Sequence, residues 1–160
     1  MRQIVPVQIL LFVLFLSCEK DCEIRDITDQ CIFHEEFLSP CFHGITFSEY
    51  NEIVISDTTA YYQFGHAIRI FPYNLNCDTA RLPPIDFSKY TLLGKRTYGG
   101  GCTAEYVRQV FEDKCEKVII YEINVEYSGG CDMLIGNWNW VYIPKLPDDF
   151  TVRFRVSQNR

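Results

Sequence analysis

The sequence predicts an α+β fold dominated by β-structure: an antiparallel meander sheet of about five or six strands, with one short N-terminal helix. Three observations predict it. In "KVIIYEINVEY", Ile119, Tyr121, Ile123, Val125 and Tyr127 alternate with Glu122, Asn124 and Glu126, the period-two pattern of a strand with one dry and one wet face. From Tyr90 onward, apolar runs follow one another with only short turn-forming breaks between them. Only "TTAYYQFGHAIRI" carries a helical period, with Ala60, Phe64, Ala67 and Ile68 on one face.

Taken in order, "MRQIVPVQILLFVLFLSC" has one charge, Arg2, and an apolar run from Ile4 to Leu16. That run is short for a membrane span, which needs about 20 residues, and it has the layout of a secretory signal. Residues 1–17 are therefore expected to be a lipoprotein signal peptide. It resembles the bacterial type in which the chain is cut before an acylated cysteine, here Cys18. The leucine usual three places earlier is Phe15. Two or three acyl chains, at ~0.8 kcal/mol per buried methylene, would hold Cys18 to a bilayer. Residues 18–45 read as a Cys-rich tether or irregular segment, and 46–160 as the β-rich domain.

Within that domain, Ile53 to Ile55 is a short strand and Asp57 a helix N-cap. Gly65 weakens the helix after it by ~1 kcal/mol relative to alanine. The loop "FPYNLNCDTARLPPIDFS" follows. Then come the strands "YTLLGKRTY", "CTAEYVRQVFE", "KVIIYEINVEY", "MLIGNWNWVYIP" and "FTVRFRV". Gly136 marks a bulge or a close approach. Arg153 and Arg155 suit a charged edge strand, which guards against aggregation.

Removing residues 1–17 costs Arg2 and no acid, so the net charge moves from −6 to −7. An acidic domain without a dense basic cluster does not suit nucleic acid. Eight cysteines in an exported chain imply disulfides. If lipid takes Cys18, seven remain, and an odd number leaves a free thiol or a bridge between chains. The strands on either side of the Asp113–Glu116 turn, counted outward, bring Cys102 close to Tyr127–Cys131. Cys102–Cys131 is thus the one pairing expected. The pairing of Cys22, Cys31, Cys41, Cys77 and Cys115 stays open.

The segment "LPPIDFSKYTLLGKRTYGGGC" resembles the C-terminal domain of the protease-complex subunit PrcB, shared by a group of Bacteroidetes lipoproteins. The shared pattern is Ile85-Asp86-Phe87-Ser88, the Tyr90–Arg96 strand, Gly99-Gly100-Gly101, the Cys102–Tyr127 hairpin and Val141–Pro144. It spans roughly half the chain. The resemblance implies a small β-rich domain of an exported lipoprotein that accompanies a cell-surface protease. It implies no catalytic residues.

Several patterns invite chemistry. The glycines of "KRTYGGGCTAEY" would cradle phosphate if a helix followed them, but no Lys-Ser/Thr completes a P-loop. A turn, with glycine supplying positive φ, is the favoured reading. Cys102 as a nucleophile needs a base, and the three histidines, His34, His43 and His66, all lie in the N-terminal half. Cys31, His34, Cys41 and His43 match tetrahedral zinc by count but not by standard spacing. We therefore expect no catalytic residue, no metal and no cofactor. Asp86 reads as a cap or turn former. Trp138 and Trp140 share a strand face, as core or as a ligand platform.

The expected protein is a membrane-anchored, non-enzymatic lipoprotein of the bacterial cell envelope, on the outer membrane. Its partners would be the bilayer, through acylated Cys18, and an envelope protein or protease captured at an open sheet edge. The alternative is a glycan-binding accessory lipoprotein using Trp138 and Trp140.

Overall fold

The computed structural model describes residues 23–35, 37–38, 50–68 and 81–159. Residues 1–17 and Cys18, expected to be the signal peptide and the acylation site, and Cys22, Cys41, His43 and Cys77 lie outside the described residues. The described chain is β-dominated with one helix, as the sequence predicts. The meander is not found: eight strands form two four-stranded sheets.

Sheet I has the order β1 (Ile24–Asp26), β5 (Thr103–Asp113), β6 (Val118–Ser128), β8 (Thr151–Asn159). Sheet II has the order β2 (Ile32–His34), β7 (Leu134–Pro144), β4 (Tyr90–Gly100), β3 (Glu52–Ile55). Most pairs are antiparallel, but β8 runs parallel to β6. Of the pairings a meander requires, the β5–β6 hairpin is present, with Thr103 opposite Ser128 and Asp113 opposite Val118. β4 pairs instead with β7, residue for residue from Tyr90–Pro144 to Gly100–Leu134.

Burial explains the two sheets. Along β6 the five predicted inward residues are all buried, whereas Glu122, Asn124 and Glu126 are not. On β4 and β7, Thr91–Gly94 and Asn139–Ile143 are continuously buried, as is Val118–Tyr121 at the start of β6. An unbroken buried run means a strand covered on both faces. One face of sheet II, with Leu93, Val141 and Ile143, packs on Tyr121, Ile123 and Val125 of sheet I. The other face, with Leu92, Trp140, Ile53 and Ile55, packs under α1 (Thr58–Ile68) and Phe37. The order of layers is helix, sheet II, sheet I.

Asp57 caps α1 as expected: its Oδ1 accepts the Ala60 N–H at 2.8 Å. The buried stripe is Tyr61, Phe64, Gly65 and Ile68, not the face with Ala67. Gly65 sits in it because Leu82 fills the space a side chain would need: a Cβ there would meet Leu82 Cδ1 at 2.4 Å.

The segment expected to be an irregular tether is also corrected. Within it, β1 joins sheet I and β2 joins sheet II. A 3-10 turn, Thr28–Gln30, links them. Ile27 and Phe37 are buried, one in each core. Strands of three residues carry too short a pattern for a period to register.

Candidate functional site

Gly99-Gly100-Gly101-Cys102 is a crossover between sheets, not a hairpin turn. β4 ends in sheet II at Gly100, and β5 begins in sheet I at Thr103. The chain returns through Gly129-Gly130-Cys131, from β6 to β7. Cys102 and Cys131 are bridged across these two crossovers, with Cα atoms 5.0 Å apart. A bridged Cys102 has no thiolate to attack with. A strand rather than a helix follows the glycines, so the phosphate-loop geometry is absent as well.

The glycines serve space more than conformation. A Cβ at Gly99 would lie 2.2 Å from the Tyr127 ring, and one at Gly101 would lie 2.9 Å from the Ser128 carbonyl oxygen. Neither has positive φ. That role falls to Gly129, at φ 85°.

Cys115 is also disulfide-bonded, and Cys31 carries a free thiol. Its Sγ donates to the Ile27 carbonyl at 3.3 Å, and burial pushes the thiol up to about 12. A thiol held protonated is a poor nucleophile and a poor metal ligand. His34 packs its ring 4.4 Å from that of Tyr142, and burial lowers its pKa. Among the described residues no group of three or more His, Cys, Asp and Glu side chains is placed to hold a metal. Asp86 is a turn former: Oδ1 accepts the Ser88 N–H at 3.1 Å, and Lys89 Nζ lies 2.9 Å from Oδ2. The Ser88 hydroxyl first, then Lys89, hold its carboxyl down at about 2.

Trp138 and Trp140 stack at 5.1 Å and 17°. As a paired surface platform they are corrected: Trp140 is 2% exposed, with the Phe37 ring 5.0 Å and the Phe64 ring 6.1 Å away. Gly94 makes room for it, since a Cβ there would lie 2.3 Å from the indole. Trp138 is half-buried, and the stack continues outward on the neighbouring strand. The Arg96 guanidinium lies 5.9 Å from the Trp138 ring and 4.6 Å over the Tyr98 ring. Tyr98 in turn lies across Gly136, where a Cβ would be 3.0 Å from its ring. Gly136 is thus a close approach, not a bulge, since the β4–β7 register runs through it unbroken.

Comparison with known protein families, curated proteins and solved structures finds no match to this chain.

Two further features went unforeseen. Arg108 projects from β5 between the sheets, its side chain only 8% exposed. Nε donates to Asn139 Oδ1 at 2.8 Å, and the guanidinium forks onto both oxygens of Glu35. Asn139 Nδ2 donates onward to Thr97 Oγ1 at 3.1 Å. An arginine at an inward strand position is the one sequence signal for this seam. The second feature is a cleft of about 410 Å³ between α1 and Arg81–Phe87, with Tyr62, His66 and Arg81 on its wall.

β8 is the edge of sheet I, as its charges suggest. The Thr151 N–H points inward, to the Lys117 carbonyl at 2.9 Å. Backbone groups alternate along a strand, so Val152, Phe154 and Val156 turn theirs outward.

Proposed function

We propose that the chain is a lipid-anchored, non-enzymatic binding module of a bacterial cell envelope. Acylated Cys18 holds it to the bilayer, and a segment of another envelope protein adds to its sheet. A protease is the partner type the PrcB-like segment suggests. The observation that carries the reading is the edge strand β8, nine residues long, with no strand on its outer side among the described residues. Such an edge offers a ladder of backbone donors and acceptors to an extended chain.

Val156→Pro tests it. Proline is tolerated in an edge strand and removes one outward N–H without touching the β6 ladder. Affinity capture from the native envelope should recover a partner with the wild type and lose it with the variant, at equal thermal stability. Equal recovery by both proteins would remove the strand-addition reading. Palmitate labelling tests the anchor: the wild type should label and Cys18→Ser should not, and an unlabelled wild type would end that part.

A glycan-binding accessory role is the second reading. It is favoured by the run of Trp138, Arg96 and Tyr98 toward the surface, and no longer by Trp140. Loss of array binding in Trp138→Ala would support it.

A further inference from the structure

Among the described residues, no element covers the outer face of sheet II at the end away from Pro144. Two large apolar side chains are exposed there, Leu134 at 74% and Tyr98 at 36%, and Met133, just before β7, is 59% exposed. The register makes Leu134 and Tyr98 neighbours. Leu134 lies opposite Gly100 and Tyr98 opposite Gly136, so the two share a face across a diagonal. The facing positions are both glycine and put no side chain over them.

Arg96 is the next residue on that face. Its guanidinium is stacked on Tyr98 and reaches Trp138, yet it makes no ion pair among the described residues. The adjacent Lys95, in contrast, is held by Glu52 at 2.8 Å. Stacking fixes the plane of a guanidinium and leaves its N–H edges directed at an acceptor. On a chain with net charge −6, an arginine stacked on two aromatic rings and without an ion pair among the described residues is complementary to an acidic group.

We infer that this face docks a protein partner that presents an Asp or Glu carboxylate to Arg96, beside an apolar side chain that covers Leu134. Arg, Tyr, Trp and Met are the side chains that protein interfaces concentrate. The exposed Leu134 argues for protein over saccharide, because apolar cover gains more there than a hydroxylated ring would. The inference rests on the binding-module reading but uses a surface other than the free side of β8. The two surfaces meet at Tyr98, whose carbonyl accepts from Gln158 Nε2 at 3.0 Å.

The test pans the full-length protein, in detergent micelles, against displayed random dodecapeptides. The best peptide is then titrated against the wild type, Arg96→Gln, Arg96→Lys, Leu134→Ser and Val156→Pro, each checked for an unchanged melting temperature. The expected peptides pair Asp or Glu with a large apolar residue. Arg96→Gln should weaken binding about tenfold, Arg96→Lys less, and Leu134→Ser several-fold; added salt should weaken the wild type. Failure to select any peptide, or equal affinity in Arg96→Gln, overturns the inference. Loss in Val156→Pro alone also overturns it, while leaving the binding module standing with its contact on β8. Binding to an acidic-glycan array that vanishes in Arg96→Gln overturns it in favour of a saccharide.

Discussion

At the scale of single residues, the glycines show how differently one residue type is used. Gly99 faces the Tyr127 ring and Gly130 faces nothing within 4 Å. Gly99→Ala should therefore lower stability by about 1–3 kcal/mol through overpacking, and Gly130→Ala should be near neutral. Urea midpoints for the two variants check this, and equal midpoints would refute it. Glu35 and His34 predict acid sensitivity. The hydrogen bond from Arg108 lowers the Glu35 pKa below 4.5, so its contribution is present above that value and is lost as pH falls through the lower folded-state value. Burial lowers the His34 pKa below 6.5. The unfolded chain then binds the proton more readily, and stability declines as pH falls through 6.5. Melting temperature should drop between pH 7 and 5 less steeply in His34→Gln, and below pH 4.5 less steeply in Glu35→Gln than in the wild type. Little of this was legible in the sequence. A glycine's role depends on what faces it, and Glu35 meets Arg108 across 73 positions.

At the scale of elements, the Cys102–Cys131 bridge ties the two points where the chain changes sheet. It closes a separation of 29 residues, for which loop closure gives about 3.6 kcal/mol. The double variant Cys102→Ser/Cys131→Ser should lose about that much in chemical denaturation while keeping its far-ultraviolet circular dichroism. A loss below ~0.5 kcal/mol would mean that Gly101 and Gly129 hold the crossovers unaided. The strands β4 to β8 and the helix α1 were readable, because each is long enough to show a period. The bridge followed from counting along a hairpin whose register is local. The partnership of β4 with β7 was not readable: about forty residues separate the strands, and pairing at that distance depends on which faces both can bury. The continuous apolar runs "TLLG" and "WVYI" did signal two-sided burial.

At the scale of the whole molecule, β4 and β7 belong to both cores. Leu92 and Trp140 lie on the helix side, and Leu93 and Val141 face sheet I. Neither core can open without exposing the strands of the other, so unfolding should be one cooperative transition. Fluorescence of Trp138 and Trp140, which reports the helix side, should coincide with circular dichroism of the sheets. Separate midpoints would show that α1 detaches first. The candidate surface belongs to this scale as well. Sequence places Trp138 and Trp140 on one face of a strand, and only the packing of α1 and Phe37 decides that Trp140 is core. The same packing stops short of Tyr98, Arg96 and Leu134, and so leaves them at the surface. Periodicity, capping and turn residues act over a few neighbours, and that local reach sufficed for the helix, the five long strands and the β5–β6 hairpin with its bridge. The division into two sheets, the parallel β8, the strands drawn from the presumed tether and the identity of the exposed face were decided by tertiary structure. They depend on which apolar faces cover one another, a choice between distant segments that no local pattern encodes.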